Sequence, residues 1–104
     1  MTDSRTRFDE IADELASAGP VSIGKLFGHP TLKADGKAFG CLFGDALALK
    51  LEGAAHAEAL ALPGARLFDP SGKQRPMREW VEIPAAHAGR WPGLALAALR
   101  YAGH

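Results

Sequence analysis

The sequence has one cysteine, Cys41, among its 104 residues, and no long apolar run. A single cysteine excludes an intramolecular disulfide framework, and the absence of Cys-x-x-Cys or paired Cys-His motifs excludes the usual structural zinc sites. No stretch reaches the roughly 18 uninterrupted apolar residues that a membrane helix needs. Residues 1–7 are polar and lack the apolar segment of a secretory signal. These absences favour a cytoplasmic protein that neither crosses nor binds a membrane.

The sequence also has no excess of either charge. Lys+Arg and Asp+Glu both number 12, so the formal net charge is zero. Nothing in this balance attracts the phosphates of a nucleic acid or an anionic lipid surface. Hydrophobic residues make up 47% of the chain and charged residues 23%, which is typical of soluble globular proteins. We therefore expect one folded domain over residues 1–104, too short for two independent cores.

Hydrophobic periodicity and turn residues predict an α+β domain with an antiparallel sheet and packed helices. Asp3 or Ser4 can cap the first helix, and Gly19-Pro20 ends it. The predicted helices cover residues 5–18, 53–62 and 92–103. The predicted strands cover residues 21–27, 31–34, 37–43, 46–51, 65–68 and 77–83. The first two of these strands could also form one bent strand.

Two tight turns predict how the central strands pair. A two-residue loop at Asp35-Gly36 places Leu32 opposite Phe39, and a loop at Gly44-Asp45 places Cys41 opposite Ala48. This register gives the sheet two apolar faces, so each must be covered or serve as a contact surface. The face that we expect to contact a second copy or a protein partner carries the residues Leu32, Phe39, Cys41 and Phe43, with Lys50 towards its end.

Three motifs mark the strands and turns of the sheet, namely Val-Ser-Ile-Gly-Lys-Leu-Phe-Gly at residues 21–28, Asp-Gly-Lys at 35–37 and Leu-Ala-Leu-Lys at 47–50. Together they resemble the amino-terminal domain of TfoX/Sxy proteins. The family usually has Met at the position of Leu26 and Tyr at that of Ala48. The resemblance implies an α-β(3)-α-β(2)-α order of the secretion-chaperone-like type. TfoX proteins regulate competence and carry a second, helical domain; because these 104 residues contain none, we expect a module that does not inherit the whole role.

The sequence has few motifs that indicate a metal-binding, phosphate-binding or catalytic site. The four histidines do not have metal-ligand spacing, and no phosphate-binding glycine loop or serine-hydrolase elbow occurs. The predicted register brings only His29 near Cys41, and Cys41 fits a small core residue better than a nucleophile. We therefore expect no enzyme activity, no metal and no cofactor. One basic-aromatic cluster could contact nucleic acid or a ligand and consists of Lys73, Arg75, Arg78 and Trp80.

Three functions follow from these patterns. The leading hypothesis is a non-enzymatic interaction or regulatory module that acts through protein contact, with self-association as one form. The second is a small-ligand-binding domain, with Trp80 lining a pocket under the terminal helix. The third is a transcription regulator that contacts DNA through residues 73–78, although the neutral charge does not favour nucleic acid.

Overall fold

The computed structural model describes residues 3–26, 28–69 and 77–103. Its helices are α1 (Ser4–Ala16), α2 (Gly53–Leu60) and α3 (Trp91–Ala102), with a 3₁₀ helix at Ala85–Arg90 directly before α3. Its strands are β1 (Val21–Leu26), β2 (His29–Ala34), β3 (Lys37–Phe43), β4 (Ala46–Lys50), β5 (Arg66–Phe68) and β6 (Met77–Ile83). The predicted α+β class with an antiparallel sheet is confirmed.

Helix α1 begins at a side-chain cap and buries one stripe. The Asp3 carboxylate accepts a hydrogen bond from the backbone N–H of Thr6 at 2.8 Å, which satisfies one of the free donors of the first turn. The same bond lowers the pKa of Asp3 from its usual value. The side chains that α1 buries recur at helical spacing and are Phe8, Ile11, Ala12 and Leu15.

The six described strands form one antiparallel sheet in the order β1-β2-β3-β4-β6-β5. The Asp35-Gly36 turn has positive φ values of 50° and 80°, as a two-residue hairpin of this kind requires. The predicted pairing of β3 with β4 is confirmed, since Cys41 lies opposite Ala48 and Leu42 opposite Leu47. Four strands precede α2, because β1 and β2 pair as separate antiparallel strands with Leu26 opposite His29. The structure therefore has one more strand in this segment than the order implied by the resemblance.

A β-bulge shifts the register between β2 and β3. Leu32 lies opposite Gly40 and Lys33 opposite Ala38, so Phe39 is the extra residue. The predicted pairing of Leu32 with Phe39 is wrong for this reason. A Cβ atom on Gly40 would stand 3.0 Å from a Leu49 methyl carbon and 3.1 Å from one of Leu32, so these leucines already fill the space. The bulge turns Phe39 onto the opposite face of the sheet from Cys41 and Phe43.

The buried residues form two clusters on opposite faces of the sheet. In the first, the helix-side core, the buried residues of all three helices pack against strand residues that include Leu32, Phe39, Leu47 and Leu49. The second, here the strand cluster, has no helical member among the described residues. It consists of Cys41, Ala48, Phe68 and Trp80, with Ala38, Phe43 and Met77 packed against them. The helices therefore lie on one face of the sheet.

Candidate functional site

The predicted interaction face does not exist as a single surface. Leu32 and Phe39 are fully buried in the helix-side core, whereas Cys41 and Phe43 belong to the strand cluster. Of these four residues only Phe43 is partly exposed. The bulge at Phe39 divides the predicted face between the two sides of the sheet, because one extra residue reverses the alternation of the side chains.

Lys50 belongs to a polar group at the end of α3. Its ammonium nitrogen lies 3.8 Å from Glu79 Oε2 and 5.7 Å from the centre of the Tyr101 ring. The Tyr101 hydroxyl donates a hydrogen bond to the Glu79 carboxylate. This bond raises the pKa of Tyr101, and burial and the negative charge of Glu79 raise it further. Lys50 therefore contacts this polar group rather than extending the predicted apolar face.

A row of aromatic rings runs from His29 through three members of the strand cluster. The ring of His29 lies 4.6 Å from that of Phe43, Phe43 lies 5.2 Å from Phe68, and Phe68 lies 6.1 Å from Trp80. Trp80 is only 6% exposed, so its ring faces are occupied by packing. Arg78 on the same strand is exposed, while Lys73 and Arg75 lie outside the described residues. In the part that can be described, the predicted basic-aromatic cluster has no exposed ring on which a base could stack.

The histidines described have structural partners. His56 donates from Nε2 to the carbonyl oxygen of Arg78 at 2.9 Å, and His87 donates from Nε2 to that of Pro63 at 2.8 Å. The ring of His29 packs against Phe43, and no hydrogen bond joins it to Cys41 in the described residues. Within the same residues, no group of three or more His, Cys, Asp or Glu side chains could hold a metal ion. The side chains of His56 and His87 therefore connect elements of the fold.

Cys41 is expected to resist thiol reagents in the native protein and to react fully after unfolding. Burial raises the pKa of its thiol above the usual value, and a hydrogen bond with Thr31 offsets only part of this effect. Little reactive thiolate is therefore present at neutral pH. The measurement is the colour released from a chromogenic disulfide reagent in native buffer and in concentrated guanidinium chloride, with Cys41→Ser as the blank. Rapid stoichiometric reaction of the native protein would contradict this burial.

The free edge of the sheet at β1 carries the more exposed of the two large apolar side chains that are exposed among the described residues. In the described chain β1 hydrogen-bonds only to β2, so its outer row of backbone groups has no strand partner. Ile23 is 51% exposed and shares the helix side of the sheet with its register partner Leu32. A shallow cavity of about 210 Å³ adjoins this edge and is lined by Arg5, Ile23, Gly24, Lys25 and Pro30. This edge is not predictable from the sequence, because a strand pattern does not reveal which strand lacks a neighbour.

A second concave surface adjoins the terminal helix. It has a volume of about 290 Å³ and lies between the last two turns of α3, the loop after α1 and the turn between β2 and β3. The ligand hypothesis placed a pocket under the terminal helix with Trp80 in its wall, and this cavity is not that pocket. Its lining is different from the prediction, because Trp80 is not among the residues that form it.

A family model for the TfoX N-terminal domain matches residues 13–92 of the chain. The chain belongs to the TfoX N-terminal domain family. The matched part begins within α1 and ends at the start of α3, so it includes every strand of the sheet. Comparison with curated proteins and with solved structures gives no match. Among the described residues of this TfoX N-terminal domain, no helix is long and apolar enough to span a membrane.

The family match covers the β1 edge completely and the cavity beside α3 only in part. Residues 18–20 and 34–35 of the cavity lie within the match, whereas the α3 residues that line it follow residue 92. Ala48, where the TfoX family usually has Tyr, lies fully buried in the strand cluster.

Proposed function

We propose that this TfoX N-terminal domain is a non-enzymatic interaction module that acts in regulation by protein contact, and that its β1 edge pairs with β1 of a second copy. The observation that carries the proposal is the combination of an unpaired edge strand of six residues with a half-exposed Ile23 at its centre. An unprotected edge presents free N–H and C=O groups that can extend the sheet into another chain.

The other edge of the sheet is less suited to pairing. Strand β5 has three residues, and its register with β6 shifts between Leu67 and Phe68. Short, irregular edge strands are a common protection against association. On β1 the only charged side chain is Lys25, and the side chain at the centre is apolar. The difference between the two edges supports β1 as the contact.

A symmetric antiparallel pairing fits the side chains of β1. When Ile23 faces Ile23 of the second copy, both lie on the same side of the joined sheet and bury apolar surface against each other. In this register Lys25 faces Val21 of the other copy, so no two lysines face one another. The contact buries less than the roughly 1,600 Å² of a standard stable interface. We therefore expect a weak dimer whose population depends on concentration.

The non-enzymatic part of the proposal is supported by the surroundings of the reactive side chains. The thiol of Cys41 is buried among strand residues, and the imidazoles of His56 and His87 bind backbone carbonyl groups. General acid-base or nucleophilic catalysis needs such groups to meet at an accessible point. In the described chain these residues instead hold elements of the fold together.

Ile23→Lys is expected to raise the dimer dissociation constant at least about tenfold, because it places two ammonium groups opposite each other across the symmetry axis. The measurement is light-scattering mass after size-exclusion chromatography over a wide concentration range. The matched control is Leu60→Lys, since Leu60 on α2 is the other exposed large apolar residue described and is 38% exposed. We expect the control to associate like the original chain.

Two outcomes would contradict the proposal. One is equal weakening by Ile23→Lys and Leu60→Lys, which would point to nonspecific apolar association. The other is a mass of 11.0 kDa, that of the monomer, for the original chain at every concentration. Ile23→Val keeps an apolar side chain at the edge and is expected to retain the association. Such retention would show that Ile23→Lys acts by removing the apolar contact and not by disrupting strand β1.

A further inference from the structure

The cavity beside α3 combines an apolar floor with two charged groups at its rim. Leu96 and Leu99 of α3 form one wall, and Ala18, Pro20 and Ala34 form the other. A Cβ atom on Gly19 would lie 3.6 Å from a Leu99 methyl carbon, so the glycine keeps this part of the wall open. The volume of about 290 Å³ is close to the lower end of the range typical of small-ligand pockets.

The two charged residues of the rim have opposite signs and come from separate elements. Asp35 lies in the turn between β2 and β3, and Arg100 lies in the last turn of α3. Both are exposed, and in the described residues the side chain of neither forms a hydrogen bond or an ion pair, including with the other. The backbone of Asp35 is held in the left-handed region with φ 50°, which sets the direction of its Cα–Cβ bond. A carboxylate and a guanidinium are thus available at the mouth of an apolar cavity.

We infer that this cavity binds a small zwitterion with an apolar side chain, of the α-amino acid class. The Arg100 guanidinium matches a carboxylate in geometry and charge, and the Asp35 carboxylate matches an ammonium group. The apolar side chain of the ligand enters between α3 and the loop after α1. An apolar lining with a few polar groups that orient the ligand is the usual composition of such sites. This site is separate from the β1 edge, so either proposal can fail without the other.

The test is an amide chemical-shift titration of the full chain with L-leucine. Saturable shifts are expected at the amides of Gly19, Asp35 and Leu99, which surround the cavity. Two further probes each lack one charge of leucine: 4-methylpentanoate has no ammonium group, and 3-methylbutylamine has no carboxylate. Each is expected to bind at least about tenfold more weakly, because a charge-assisted hydrogen bond is lost. Absence of saturable shifts with leucine, or equal affinity for either truncated probe, would overturn the inference.

Substitutions at the rim give an independent readout. Arg100→Gln and Asp35→Asn are each expected to weaken leucine binding at least about tenfold, and asparagine tolerates the left-handed backbone of the turn. Ala102→Leu fills the cavity and is expected to abolish the shifts. The matched controls are Arg90→Gln and Asp45→Asn, because both residues are exposed and neither lines the cavity. Equal weakening by the controls and the rim variants would show binding by general charge and contradict the site.

Discussion

Replacing Phe39 by alanine is expected to remove a large part of the free energy of unfolding of the domain, whereas Phe43→Ala, on the same strand, has a much smaller effect. Phe39 is fully buried in the helix-side core, and truncation of such a side chain costs about 3 to 5 kcal/mol. The total free energy of unfolding of a natural domain is about 5 to 15 kcal/mol. Phe43 is partly exposed and contacts the rings of His29 and Phe68, so its loss costs about 1 to 2 kcal/mol.

The measurement is urea unfolding of both variants and the original chain, followed by far-ultraviolet circular dichroism. A lower midpoint with an unchanged slope reports a loss of stability alone. Equal losses at the two positions would contradict the bulge, because an unbroken alternation places both side chains in the same environment. Phe39→Leu serves as the control, since it keeps most of the apolar volume and is expected to recover much of the loss.

Trp91→Ala is expected to lower the unfolding temperature by roughly 12 °C or more. Trp91 is the largest of the fully buried side chains among the described residues, and its truncation costs about 3 to 5 kcal/mol. Each kcal/mol lost from the free energy of unfolding lowers the unfolding temperature of a domain of about 100 residues by roughly 4 °C or more. The measurement is differential scanning calorimetry, which also tests whether unfolding is two-state.

Trp91→Phe separates the volume of this side chain from its polar atom. The indole Nε1 of Trp91 is buried and has no hydrogen-bond partner among the described residues. A buried donor without a partner costs about 1 to 3 kcal/mol, so its removal offsets part of the volume lost in the change to phenylalanine. We expect Trp91→Phe to lower the free energy of unfolding by less than half as much as Trp91→Ala does. A phenylalanine variant as unstable as the alanine variant would mean that the N–H contributes a bond to the native state.

The local elements of this fold are predictable from the sequence. Asp3 caps α1, and Asp35-Gly36 forms a hairpin turn, because each depends on the chemistry of a few adjacent residues. The bulge at Phe39 is not predictable in this way. Its cause lies in the packing of Gly40 against Leu32 and Leu49, which belong to two neighbouring strands. A local pattern does not contain that information.

The candidate sites were harder to predict than the elements. Ile23 becomes an exposed edge residue only because β6, and not β1, lies beside β4 in the sheet order. The cavity beside α3 brings Pro20, Asp35 and Arg100 together from segments far apart in sequence. The predicted face joined Phe39 to Cys41 through an assumed regular register. In each case the decisive fact is a long-range pairing, whereas periodicity and turn chemistry describe only neighbours.

Amide hydrogen exchange of the original chain at low and high protein concentration tests the proposed β1 contact most directly. The outward amides of β1 (Val21–Leu26) have no partner strand in the monomer and are expected to exchange quickly when dilute. Pairing with a second copy predicts slower exchange of these amides at high concentration, with no change at the other edge, β5 (Arg66–Phe68). Exchange in β1 that is the same at all concentrations would contradict the account.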